Sequence, residues 1–504
     1  MRTAIILLLL MAIAAVPGSM WPQRSSDPNG VIQFFNKNPD LAKFLDKIQI
    51  FDVYTSIWFS AIYLLLFISL IGCVLPRTIH HLKSLRLAPP RTPANFERLQ
   101  AHESTINSTV SPENAVAIAE KLLAKSGYRV ARYDGKSFSV SAERGYLREA
   151  GNLLFHTSLI GVLIAVGLGG GFGYTGQKVL VEGQSFANIR GGYDSFTPGR
   201  FFSDSELSPF RLKLDQFNAV YEEQNLLSYG KPIDYTALLT TWEPNDKNQQ
   251  AEIKVNEPLE IGGTQIYLLG NGYAPTITVR DGEGNIAFRA SVPFLPADAN
   301  LTSTGVIRVP DAKPSQLAMI GSFYPTAREL QTGALTSIHP DLRNPMLTLR
   351  VFKGDLGLDS GVPQNVYALD PTGLTPVAGG DASAPSIELQ PGETASLPDG
   401  LGSITFETSR PGADAADWSG SVPRFASLDI HHDPAQGWVL AFVLLAIAGL
   451  LTSLFVPRRR VWVRATQSKS GTLIEYAALA RGEDPRLESA LSEFAVRHGK
   501  ELKA

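Results

Sequence analysis

The 504-residue sequence predicts an α-helical membrane protein with four transmembrane helices. To these it adds a large, predominantly β extracytoplasmic domain, sandwich-like or open-sheet, and a small α+β cytoplasmic loop. Four observations predict this. Four apolar stretches approach or reach spanning length, about 20 mostly apolar residues. Charged residues make up only 18% of the chain, against roughly 25% in an ordinary soluble protein. Mean hydropathy is near zero, too apolar for a soluble enzyme and too polar for a polytopic transporter. Short alternating runs, separated by Gly, Pro, Asn and Asp, fill residues 173–436 and read as strands.

Residues 1–21 have an apolar core ending at Pro17, one basic residue before it and small residues after it. That pattern reads as a cleavable signal peptide or as a retained first helix. Residues 22–54 form an outer loop. Val31, Phe34, Phe35, Leu41, Phe44, Leu45 and Ile48 there suggest amphipathic helical pieces lying at the interface or packing against the β domain. Residues 55–75 span without a charge. Residues 76–152 follow as a cytoplasmic helix–hairpin loop. Ser111-Pro112 starts a helix with an N-cap serine and a first-position proline, and the alternation about Asp134-Gly135 marks a hairpin. Residues 153–172 form the third span, with one histidine. Residues 173–436 form the β domain and 437–456 the last span. Residues 457–504 are a tail with an amphipathic helix carrying Leu487, Leu491 and Phe494 on one face.

Charge flanks set the orientation. Residues 77–91 carry Arg77, Lys83, Arg86 and Arg91 and no acid. Residues 457–469 carry Arg458, Arg459, Arg460, Arg464 and Lys469 and no acid. Excess Lys and Arg near span ends mark the cytoplasmic side, so both termini are expected inside and residues 173–436 outside. Trp21, Trp58, Trp438 and Trp462 sit near span ends, as interfacial anchors do.

The near-neutral total of -3 conceals a partition. Residues 172–436 hold 18 basic and 31 acidic residues, a balance of -13, and the remainder balances at +10. The total speaks against a basic nucleic-acid-binding surface. The single cysteine, Cys73, excludes an internal disulfide, a CxxC pair and a cysteine-built zinc or iron–sulfur site.

No GxSxG, HExxH or phosphate-loop motif is present. Gly171-Phe-Gly173-Tyr-Thr-Gly176 matches the dinucleotide pattern, but an apolar span precedes it and the strand-like KVLVEG follows, which is the wrong context. His156 lies four residues into the third span. An ionisable group there is costly and functional by default, able to ligate haem iron or relay a proton; the alternative is an interfacial histidine bonded to a neighbouring helix. His431 and His432 adjoin the last span. Adjacent residues of an extended segment point to opposite faces, so the pair does not share one metal, and headgroup or solvent contact is the simpler role. His80 and His81, among basic residues, are expected at headgroups. Cys73 reads as a small hydrophobe.

Four regions together resemble the ResB family, also called CcsB, of System II cytochrome c maturation. They are RTAIILLLLMAIAAVPGSMWPQR at residue 2, the aromatic-rich FDVYTSIWFSAIYLLLFISLIGCVLPR at 51, GYLREAGNLLFHTSLIGVLIAVG at 145, and DPAQGWVLAFVLLAIAGLLTSLFVPRRRVWVR at 433. KVNEPLEIGGTQIYLLGNGYAP at 254 is similar to the family's VN-x-PL segment. The resemblance implies that the first helix is retained. It also implies a tryptophan-rich partner of the ResC or CcsA type, with which haem is moved outward and attached to apocytochrome c. Thiol reduction falls to a thioredoxin-like protein, since this chain has no CxxC. The family's membrane histidine maps onto His156 as a haem ligand. His432 is a weaker haem-binding candidate, and Asp433, Pro434 and Gly437 map onto a turn feeding the last helix. On this reading the chain is an accessory subunit with no catalytic residue of its own and no resident metal. The competing reading is a membrane-anchored binding or sensor protein with a β ectodomain.

Overall fold

The computed structural model describes residues 2–107, 109–135, 137–244, 248–358 and 368–503. These form two compact units, Met1–Gly169 with Ala435–Ala504, and Gly170–Pro434.

The helices are α1 (Arg2–Met20), α2 (Pro28–Lys37), α3 (Pro39–Lys47), α4 (Ile57–Arg86), α5 (Pro112–Lys125), α6 (Leu147–Phe172), α7 (Gln436–Phe455) and α8 (Leu487–Glu501). Four candidate membrane spans, which contain α1, α4, α6 and α7, are long and apolar enough to cross a membrane. Two prolines sit inside them without ending them. Pro17 lies in α1, and α4 passes Pro76 to Arg86, well past the apolar stretch that ends at 75. A proline removes one backbone bond, and the turns beyond it hold: Leu87 N–H still reaches the Lys83 carbonyl. Between α1 and α4 the loop is helical, as expected. Asp27 caps α2 by accepting from Gly30 N–H at 2.8 Å. Val31, Ala42, Leu45, Ile50 and Phe51 close a small core there. Arg24 ties the loop's ends by pairing with Asp46 and Asp52.

The segments read separately as a cytoplasmic loop and a tail are one domain. A five-stranded antiparallel sheet runs in the order 101–107, 471–480, 459–468, 138–144, 129–134. Thus the tail hairpin sits between strands of the loop. A single helix and hairpin cannot bury a core; the tail supplies the missing strands. Helices α5 and α8 cover one face, packing Val116, Leu123, Leu491 and Phe494 on Val140, Val463, Ile474 and Tyr476. Trp462 corrects its expected role. It is 3% exposed, on the other face, and packs with Phe96 and Ala477. Residues 90–94 hold it there: Trp462 Nε1–H donates to Pro90 O, and Arg464 donates to Ala94 O at 2.9 Å. Trp438, by contrast, is exposed at the start of α7.

Two buried carboxylates join this sheet to the helix ends. Glu143 accepts from Arg458 and Arg460 at 2.8 and 2.9 Å. Glu149, in the first turn of α6 where the helix dipole favours an anion, pairs with Arg458 at 3.5 Å and Arg481 at 2.6 Å, and lies 3.6 Å from Arg77. Arg459 grips Asp484 with two hydrogen bonds, at 2.5 and 2.9 Å. Helices α6 and α7 touch backbone to backbone where Gly151 meets Gly449. A Cβ on Gly449 would lie 2.5 Å from Phe155 N and 2.7 Å from Gly151 O, so only a hydrogen fits.

The second unit is antiparallel throughout its sheets. The strand Arg424–His432 lies between Tyr174–Val181 and Thr264–Tyr273, so its first and last strands pair. A second sheet joins 185–187, 211–221, 232–242 and 249–254, and further sheets carry a core of Tyr273, Phe294, Phe323 and Phe406. Helix α6 ends at Phe172 and a strand begins at Tyr174, so the glycine-rich segment connects a helix to a strand and lacks the dinucleotide-binding context.

Within the first domain His498 is fully buried. Its Nε2–H donates to Ala115 O at 2.9 Å, and Nδ1 lies 2.8 Å from the Tyr476 hydroxyl, from which it accepts in the neutral ring. Burial lowers its pKa from the ordinary 6.5. The unfolded chain therefore takes up a proton below about 6.5 that the folded chain refuses, and stability falls as pH drops through that range. For Glu143, burial pushes the pKa up, but Arg460 and Arg458 overcome this and hold it below 4.5. Its contribution is complete above 4.5 and is lost only as pH falls further. Urea unfolding of the purified protein, followed by tryptophan fluorescence, is expected to show a lower midpoint at pH 5.5 than at 7.5. His498→Gln should shrink that difference; an undiminished difference contradicts the assignment. Glu143→Ala should cost about 3–5 kcal/mol at pH 7.5 by stranding two arginines.

Candidate functional site

The site is built from histidines whose tautomers are set by backbone carbonyls. Helix α6 is fixed on two sides. Gly151 meets α7, and Tyr63 O–H of α4 donates to the Leu163 carbonyl. His156 lies in its third turn. Its Nδ1 is 2.8 Å from the carbonyl of Asn152, one turn earlier. A carbonyl oxygen only accepts, so Nδ1 carries a hydrogen, and in the neutral ring the lone pair is on Nε2. Phe155 stands edge-on to the ring, with centroids 5.0 Å apart. Asn152 shares the His156 face at i, i+4, and its Oδ1 is buried without a hydrogen-bond partner.

The same device recurs at the end of the strand Arg424–His432. His432 Nδ1 lies 2.8 Å from the Gly263 carbonyl, so in the neutral ring the lone pair is again on Nε2. Its ring stacks on Tyr174, with centroids 5.4 Å apart and planes 20° apart. Tyr174 is buried. Its hydroxyl accepts from Asn188 Nδ2 at 3.1 Å and lies 3.2 Å from Thr264 Oγ1. Phe196 and Phe202 pack on it, and Tyr193 donates to Asn188. Burial, followed by its coupling to Tyr174, raises the Tyr193 pKa, so that hydroxyl stays protonated and donating. His431 is bonded elsewhere: its Nδ1 is 3.0 Å from Thr175 Oγ1. The two neighbours thus have different partners, in keeping with the opposite faces of a strand. Asp429, on the His431 side of the strand, has its pKa raised by burial, against the opposing effect of His431.

The structure places His156 in the first unit and His432 in the second. Among the described residues, no cluster of three or more His, Cys, Asp or Glu side chains is arranged to hold a metal ion. The sequence reading missed the carbonyls that fix the tautomers, because they are backbone atoms. It also missed Tyr174, whose signal was only a tyrosine following Gly173. His81, expected at headgroups, is buried on α4, and its Nδ1 has no hydrogen-bond partner.

Four helices long and apolar enough to cross a membrane, a split α/β sheet domain and a separate sheet-rich unit define a membrane protein. The chain belongs to the ResB-like family, whose model matches residues 1–492. It is similar to the cytochrome c biogenesis protein CcsB of Prochlorococcus marinus strain NATL2A, 29% identical over 279 residues, 53% of this chain and 58% of the relative. The CcsB proteins of Paulinella chromatophora, 26% identical over 282 residues, and Synechococcus sp. strain CC9311, 28% over 272, match over 53% of this chain and 59% and 57% of their own lengths. The aligned part thus spans a little over half the length of these relatives.

Imidazole nitrogen shifts test the tautomers. In 15N-histidine-labelled protein at pH 8, the signals that vanish in His156→Gln and His432→Gln should report a protonated Nδ1 and a bare Nε2. The reverse pattern would remove both residues as ready ligands.

Proposed function

We propose that this chain is a haem-handling subunit of a membrane system for cytochrome c maturation. The observation that carries the proposal is the bare Nε2 of His156 on a membrane helix. Relatives named for cytochrome c biogenesis supply the context. Haem is the cargo. His156 Nε2 would hold its iron, with the Asn152 carbonyl keeping the Nδ1 hydrogen and fixing the ring's angle. His432 Nε2, beside the Tyr174 face, would offer the iron a second imidazole nitrogen. The chain offers no cysteine pair, so the thiols of the apocytochrome are kept reduced by a thioredoxin-like protein. A tryptophan-rich partner of the ResC or CcsA type completes the haem path.

The proposal includes the sides of the membrane. The basic flanks at 77–91 and 457–469 support a cytoplasmic position for the split sheet domain and both termini. The second unit then lies outside. Its balance of -13 attracts basic apocytochromes, an effect that salt weakens.

The test is haem content. The chain is co-purified with its membrane partner, as wild type and as His156→Ala. The variant should lose most of the bound haem and its Soret band, and added imidazole should restore part of both. Unchanged haem content and spectrum remove His156 from the path. A cysteine placed at exposed Leu227 should react with an impermeant maleimide in intact cells, and one at exposed Val496 only after lysis; the opposite pattern overturns the orientation.

A further inference from the structure

Two hollows in the first unit share a wall. One, of about 630 Å³, lies where α4 and α7 end and α6 begins. Leu85, Leu147, Ala150 and Val456 make it apolar, and His81 and Arg144 are among its polar lining residues. The other, of about 420 Å³, runs between α5 and α8, with Arg459 and Arg497 in its lining. Ser126 and Arg144 belong to both.

The arginines here are not equivalent. Arg458 and Arg460 are matched to Glu143, and Arg459 is matched to Asp484. Among the described residues, no carboxylate lies within ion-pairing distance of Arg144. Its guanidinium rests over the Tyr128 ring, 4.7 Å from the centroid. Asp484 feels its charge but is already bonded twice by Arg459. Beside it, His81 is 6% exposed and its Nδ1 lacks a hydrogen-bond partner. A cation and an orphaned imidazole atom, set against an apolar wall, are poorly solvated unless an anion sits with them. That anion must arrive on an apolar body.

We propose that this groove holds one anionic phospholipid, its phosphate on Arg144 and its acyl chains along Leu85, Leu147 and Val456. The wall opens sideways: Leu147 is 65% exposed and Leu85 41% exposed, both at the ends of membrane helices, where the surrounding solvent is lipid. Basic pockets between spans at a membrane face take such headgroups. The lipid would brace the junction between the spans and the split sheet domain. The proposal does not depend on the haem reading.

Native mass spectrometry of the full chain tests it, with phosphatidylglycerol and phosphatidylcholine of identical chains as probes. Wild type should retain phosphatidylglycerol in preference to phosphatidylcholine. Arg144→Gln should lower phosphatidylglycerol retention about fivefold, the worth of one arginine near a headgroup. Arg144→Lys should keep most of it. Ala150→Trp, which fills the apolar wall, should expel the lipid while leaving Arg144 in place. Equal retention of the two lipids by wild type, or retention unchanged in both Arg144→Gln and Ala150→Trp, overturns the proposal. So does displacement of the phosphatidylglycerol by stoichiometric haem, which would make the groove a haem site.

Discussion

The pairing of the strand 138–144 with the strand 459–468 is the constraint on which the first unit depends. In that register Arg144 faces Arg459 and Ala142 faces Val461. Helix α6 starts three residues after Arg144, and α7 ends four residues before Arg459. Two strands locked side by side therefore bring the ends of two membrane helices to one level. Gly151 and Gly449 can then meet with no side chain between them. The ion pairs reinforce the lock from the sheet side, since Arg458 reaches both Glu143 on the strand and Glu149 on the helix. Burying those charges is justified by their mutual satisfaction; breaking one side leaves an uncompensated ion.

In the proposed haem-handling role the lock acts through His156, which lies about one and a half turns beyond Gly151 on the same helix. With α6 held at the glycine contact and again by Tyr63 at Leu163, the helix has little freedom to rotate. The imidazole is then aimed by a rigid element, and its tautomer is aimed by the helix's own carbonyl. His432 reaches the same tautomer by different means, a strand end beside the Gly263 carbonyl and a tyrosine face.

Much of this was legible in the sequence, for a physical reason. A membrane span must be apolar for its whole length, so residues 55–75, 153–172 and 437–456 declared themselves, and a histidine among them stood out. The strand-rich character of 173–436 was legible in its alternation and turn residues. The split sheet was not. Residues 459–468 read as the basic exit of a span because they hold three arginines, Arg459, Arg460 and Arg464, directly after Arg458. Yet Val461, Val463 and Ala465 face a core that they share with the strand 471–480, with α8 and with a segment more than 300 residues earlier. Trp462 looked like a membrane anchor for the same reason: position along the chain suggested an interface, while only strand pairing reveals that the ring is covered by residues 90–99. Long-range pairing leaves no local signature, and neither do the backbone carbonyls that select a histidine's tautomer.

Exchanging the ligand at position 156 tests the haem-handling account more directly than removing it. The His156→Cys variant should be purified with its membrane partner and examined by optical and electron paramagnetic resonance spectroscopy in the ferric state. A ligand at this position should change the haem signal to one with thiolate character, with altered Soret position and g values. A signal identical to that of the wild type would show that the iron is held elsewhere and would contradict the account.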